Sequence, residues 1–158
     1  PLPFALLLCS APRASAHTSA LYPRPCKGCG EIPTTSEMAY AAFVDPQLHA
    51  AMTGAAATSE TTGEFTAWNG YITGRTLEAH PEHRLVQAWR TSQFPEDAAD
   101  SLLEIRFQAS PGGTRVTFDH REIPEGQGVN YQQGWVDHYL VPMRAWFQKQ
   151  NTVASSPD

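Results

Sequence analysis

At 158 residues the chain fits one domain with a core of ordinary size, and 41% hydrophobic with 17% charged residues is a globular composition that excludes wholesale disorder. A net charge of −5, with the 11 Lys and Arg scattered along the chain, excludes a nucleic-acid footprint. No apolar run approaches the ~20 residues of a membrane span, so a soluble, cytoplasmic domain is expected.

Residues 1–30 differ in kind from the rest of the chain. Residues 2–8 are apolar, and Ala14-Ser15-Ala16 has the small-x-small form of a signal-peptidase site, but neither an initiator Met nor a basic n-region accompanies it. Pro23, Pro25 and Gly28 break up regular structure, and an irregular extension is expected up to residue 30. Cys26 and Cys29 form a C-x-x-C that, with Cys9 and His17, has the residue types of a zinc site. A second paired knuckle is missing, and no strand leads into the motif as a redox pair requires, so the cysteines read as bystanders and no metal is expected.

From Glu31 the pattern becomes regular. Thr35-Ser36 reads as an N-cap for a short helix through Phe43, and Asp45-Pro46 opens a second that stops at Gly54. Residues 55–62 read as a weak edge strand. Three antiparallel strands come next, at 65–68, 71–79 and 85–91. Asn69-Gly70 is the expected two-residue hairpin turn, and Gly74 the expected site of a bulge. After an acidic loop at 95–100, Leu103, Ile105, Phe107 and Ala109 alternate with Glu104, Arg106 and Gln108, which predicts one buried and one wet face. Pro111-Gly112-Gly113 turns the chain into a partner strand carrying Val116, Phe118 and His120 on one side.

The last element is a helix over 130–148. Tyr131, Trp135, Tyr139, Met143, Trp146 and Phe147 recur at three- and four-residue steps and give it an aromatic face about 28 Å long, with a bend expected at Pro142. Residues 149–158 read as a polar tail. The expected architecture is α+β, a curved antiparallel sheet of six or seven strands wrapped around this long helix.

Several of these residues carry a resemblance. Gly63, Phe65, Ala67-Trp68, Gly70-Tyr71-Ile72 and Gly74 are followed by Val86-Gln87 and Trp89-Arg90, then Gly112-Gly113-Thr114, then Gly134-Trp135, Tyr139 and Pro142-Met143. In this order they resemble the family of homologues of the activator of heat-shock protein 90 ATPase, within the SRPBCC (START, birch-pollen-allergen-like) superfamily. The resemblance spans about residues 32–147 and implies a helix-grip domain over 31–148. It also implies a chaperone of the heat-shock protein 90 type as partner, and an apolar cavity for a small hydrophobic ligand between sheet and helix. The family opens with a strand where this chain has residues 24–31. Two glycines and a proline there predict a strand that is short, displaced or replaced.

The chain has no G-x-S-x-G elbow, P-loop, H-E-x-x-H or dinucleotide fingerprint, so no cofactor is expected. Trp68, Tyr71, Trp89, Phe118, His120, Trp135 and Tyr139 are the candidate cavity residues, since strands and helix of a helix-grip fold bring them together. The first reading is a non-catalytic binding or co-chaperone-like domain. The alternative is a hydrolase- or cyclase-like enzyme using His120 as acid–base, with His138 beside it if both face one cavity. Asp119 and Asp137 read as surface charges.

Overall fold

The computed structural model describes residues 26–156. Its strands are β1 (Cys26–Ile32), β2 (Thr58–Ser59), β3 (Glu64–Ala67), β4 (Ile72–His80), β5 (Arg84–Thr91), β6 (Ser101–Ser110) and β7 (Gly113–Arg121). They pair in the order β1-β7-β6-β5-β4-β3-β2, every pair antiparallel, in one curved sheet. Helices α1 (Ser36–Val44) and α2 (Pro46–Thr53) follow β1. A long C-terminal helix is built from α3 (Gly128–Gly134), a π-helical stretch (Trp135–Leu140) and α4 (Val141–Ala154).

The short helices are fixed by the residues that announce them. Thr35 Oγ1 accepts from the Met38 N–H at 3.2 Å, and Asp45 Oδ1 accepts from Gln47 and Leu48 at 2.9 and 3.2 Å. Gly54 ends α2 at φ 77°, a left-handed conformation that costs glycine little. Alternation in β5, β6 and β7 turns Leu85, Trp89, Leu103, Ile105, Val116 and Phe118 inward. Phe43 of α1 sets its edge against Phe107 and Phe118, while Trp135 stacks on Phe118 with ring centroids 4.7 Å apart and planes 12° off parallel. The long helix therefore lies against the concave face of the sheet.

In several places the structure departs from the sequence reading, each for a local reason. Residues 26–32 form a full seven-residue strand along β7, so the boundary placed at residue 30 falls inside β1. Gly28 and Gly30, which argued against a strand, pair with the inward-facing Phe118 and Val116; a Cβ at Gly30 would stand 3.2 Å from Leu140 Cδ1. The glycines let the helix approach β1 closely.

Gly74 carries no bulge. A Cβ there would overlap the Ala88 carbonyl oxygen and the Phe65 ring, and the register slips instead between Thr76 and Glu78. The β3–β4 loop has four residues rather than two, because Trp68 and Asn69, at φ 53° and 58°, take the left-handed positions expected one residue later.

Ala109 is exposed near the hairpin end, whereas Glu104 on the outer face is buried. Its carboxylate accepts hydrogen bonds from Arg84, Arg106 and Arg121, and the Arg84 bond foremost holds it below the usual glutamate range. Arg90 straps the acidic loop by bonding Asp100 and the carbonyls of Pro95 and Ala98.

The helix runs beyond both expected ends, and residues 149–154 of the expected tail continue it. There the Asn151 side chain donates to the Pro33 carbonyl at 2.8 Å. Ahead of Pro142 the helix widens where a bend was expected. The Val141 N–H reaches back five residues to the Val136 carbonyl, a spacing that accommodates the proline's missing donor.

Candidate functional site

A cavity of about 510 Å³ opens between the long helix and the β3–β4 end of the sheet. Its walls are Trp68, Tyr71, Ile72, Trp89, Tyr131, Trp135 and Tyr139, and Gln93, Asn130, Gln133, Gly134, Asp137 and His138 complete it. Five of the seven residues singled out from sequence (Trp68, Tyr71, Trp89, Trp135 and Tyr139) line this one space. Phe118 and His120 do not. Both are fully buried behind the wall, Phe118 under the Trp135 ring and His120 4.6 Å from the Trp89 centroid.

The rings are positioned by hydrogen bonds deeper in the core. Trp68, at the tip of the β3–β4 loop, is a bulky residue in a left-handed conformation, a strained state that needs support from its surroundings. That support is its Nε1–H donating to the Tyr139 hydroxyl at 3.1 Å, with the His138 ring edge-on at 5.4 Å. A tryptophan N–H only donates, which leaves the Tyr139 proton for His49 Nε2, 3.2 Å away. Burial pushes the Tyr139 hydroxyl well above the ordinary tyrosine range and lowers His49 to about 4, so both are neutral at pH 7.

His120 anchors a second chain. Trp135 Nε1–H donates to His120 Nδ1 at 3.3 Å, which puts the ring proton on Nε2. Nε2 then donates to Ser101 Oγ at 2.7 Å, and the Ser101 hydroxyl donates to the Trp89 carbonyl, also at 2.7 Å. Burial lowers His120 to about 3. Both ring nitrogens are occupied, and neither faces the cavity. The acid–base role considered for His120 has no free nitrogen to act with, and His138, which does line the cavity, is on the other side of the wall from it.

Sequence reasoning did not single out Gln93, Asn130, Gln133 or Asp137 for the cavity. They are polar residues outside the aromatic pattern, although Asn130, Gln133 and Asp137 follow helical spacing, and the long helix and the turn after β5 bring them to the opening. His49 and Ser101 were missed because their partners lie 90 and 19 residues away. Cys29 is an exposed free thiol beside Arg115, the C-x-x-C lies on a strand, and Cys9 and His17 fall outside the described residues. Among the described residues no group of three His, Cys, Asp or Glu is placed to hold a metal.

The model of the family described as "Activator of Hsp90 ATPase homolog 1-like protein" matches residues 33–147, most of the described domain. The chain belongs to this family. A relative within reach of sequence comparison is the mouse activator of 90 kDa heat shock protein ATPase homolog 2, 26% identical over 113 residues. That match takes in 70% of this chain and 34% of the relative, so the chain spans about a third of the mouse protein's length.

Solved structures share the fold of this family member. An HSP90 activator from Plasmodium falciparum superposes with a TM-score of 0.70 at 20% identity, covering 78% of this chain and 95% of the other. A protein from Chromobacterium violaceum gives 0.61 at 22% identity, with 79% and 98% covered. Among the described residues no helix of the family member is long and apolar enough to cross a membrane.

Proposed function

We propose that this domain is a non-catalytic binding module whose cavity takes a small hydrophobic ligand, a fatty acid or a flat aromatic compound. The observation that carries this reading is the aromatic-walled space of about 510 Å³, within the size range of small-molecule sites and edged by a few polar groups. Trp68, Trp89 and Trp135 line it, so ligand entry changes tryptophan emission directly. Titrating neutral polycyclic compounds and fatty acids should give a saturable fluorescence change. Trp68→Ala, at the half-exposed loop tip, should weaken it about tenfold by removing one stacking wall. Trp135→Ala should also alter the response, though that ring holds His120 as well. No spectral change with any compound would sink the reading.

The family's named activity supports a second role on the same domain, contact with a chaperone of the heat-shock protein 90 type. The outer face of the sheet, with Arg84, Arg106 and Arg121 gathered around Glu104, is the polar surface offered for it. Such a contact should be weak. Made by this domain alone, it lacks the strength that linked contacts gain from being made together. Calorimetry against a purified chaperone of that type should give at most micromolar-range heats, and tight binding by this domain alone would refute the weak-contact reading.

A further inference from the structure

The cavity wall has a charge asymmetry that bears on which ligands it accepts. Among the described residues no lysine or arginine lines it, whereas one carboxylate does, that of the exposed Asp137 on the π-helical stretch. Its Oδ1 accepts from the Gln133 side-chain amide at 2.9 Å, and a carboxylate has lone pairs for further donors. The lining is rich in aromatic rings, and the π face of such a ring attracts cations within about 6 Å of its centroid. Among the described residues the one guanidinium over an aromatic ring is Arg90 on Phe94, and Phe94 is not part of the wall. Among the described residues no lysine or arginine of the lining competes for those faces, and His138 meets the Trp68 ring edge-on with centroids 5.4 Å apart.

An anionic head group meets the opposite situation. Entering this space it sheds water, finds side-chain amides such as Asn130 but, among the described residues, no lysine or arginine, and faces the Asp137 carboxylate, a desolvation without a fixed counter-charge. We propose that the cavity selects flat aromatic cations over fatty-acid-like anions, with the Asp137 carboxylate and the faces of Trp68, Tyr71 and Trp135 as the recognising groups. This rests on the reading of the cavity as a ligand site, and narrows it.

Three three-ring probes of matched size test it by calorimetry on the full chain: aminoacridine as cation, anthracene methanol as neutral form and anthracene carboxylate as anion. The cation should bind about tenfold or more tighter than the anion, as expected for a ring-face contact supported by one nearby carboxylate. Asp137→Asn, an exposed helical change, should bring that ratio to about threefold or less. Glu37→Gln removes one negative charge on exposed α1, away from the cavity, and should leave the ratio unchanged. Equal binding of cation and anion, or a ratio that Asp137→Asn does not move, overturns the charge selection. Binding of the neutral probe in that case leaves the ligand site standing. If none of the three binds, both readings fall.

Discussion

The imidazole of His120 sits where a proton would leave a charge with neither solvent nor counter-ion, and His49 is in the same position one layer over. Burial lowers them to about 3 and about 4 from an ordinary 6.5, and this fixes a sign. As pH falls through 6.5 the unfolded chain takes up protons that the folded chain refuses until those lower values. The unfolded state binds more protons, so stability falls with pH, by about 1.4 kcal/mol per pH unit for each histidine. The lowered carboxylates Glu64 and Glu104 add a loss of the same sign only below about 4.5. The window from pH 6 to 5 therefore belongs to the histidines. Urea unfolding across it should show a slope that His120→Gln roughly halves; a flat profile in the unaltered protein would contradict the buried neutral pair. Strand parity was enough to turn His120 inward from sequence. Its tautomer was not legible, because Ser101 and Trp135 reach it only through the register of β6 with β7 and the placement of the helix.

At the scale of elements, glycine was the residue type most often misread. In sequence a glycine inside a strand announces a bulge or a poor strand, but in this sheet two of them mark close approach. Gly74 faces the Ala88 carbonyl and the Phe65 ring, and Gly30 faces Leu140, so what each glycine permits depends on a partner distant in the chain. Gly74→Ala should therefore cost about 3 kcal/mol or more, since backbone must move, whereas Gly30→Ala meets a flexible leucine end and should cost about 1 kcal/mol. Thermal or urea unfolding of the two variants checks the order, and a neutral Gly74→Ala would mean the sheet yields there. The long helix was legible from its aromatic spacing. Its π-helical stretch was not, because a change from 3.6 residues per turn leaves Trp135, Tyr139 and Leu140 on a face that α-helical spacing describes almost as well.

For the whole molecule, alternation in β6 and β7 and the helical pattern over 130–148 were sufficient to specify a sheet gripping a helix. The wall of the cavity was half legible, since large aromatics draw the eye and small polar residues at its opening do not. The first strand is where sequence and structure differ with the largest consequence. β1 is one edge of the sheet; Ile32 is fully buried, and Arg144 Nε donates to the Glu31 carbonyl at 3.2 Å, tying the edge to α4. A chain beginning at Pro33 loses the seven-residue ladder to β7, the Ile32 side chain and the floor beneath Trp135 and Leu140. It also leaves β7 an open edge whose inward side carries Val116 and Phe118, a template for pairing with other chains. Burial of one isoleucine and the net worth of several ladder hydrogen bonds together come to about 5 kcal/mol, comparable to the whole stability of many domains this size. The truncated chain should therefore lack a cooperative thermal transition or aggregate on expression, while one beginning at Cys26 should melt cooperatively. Circular dichroism melts of the two side by side decide it. An unchanged midpoint on removing 26–32 would mean that the sheet closes on the helix without its first strand.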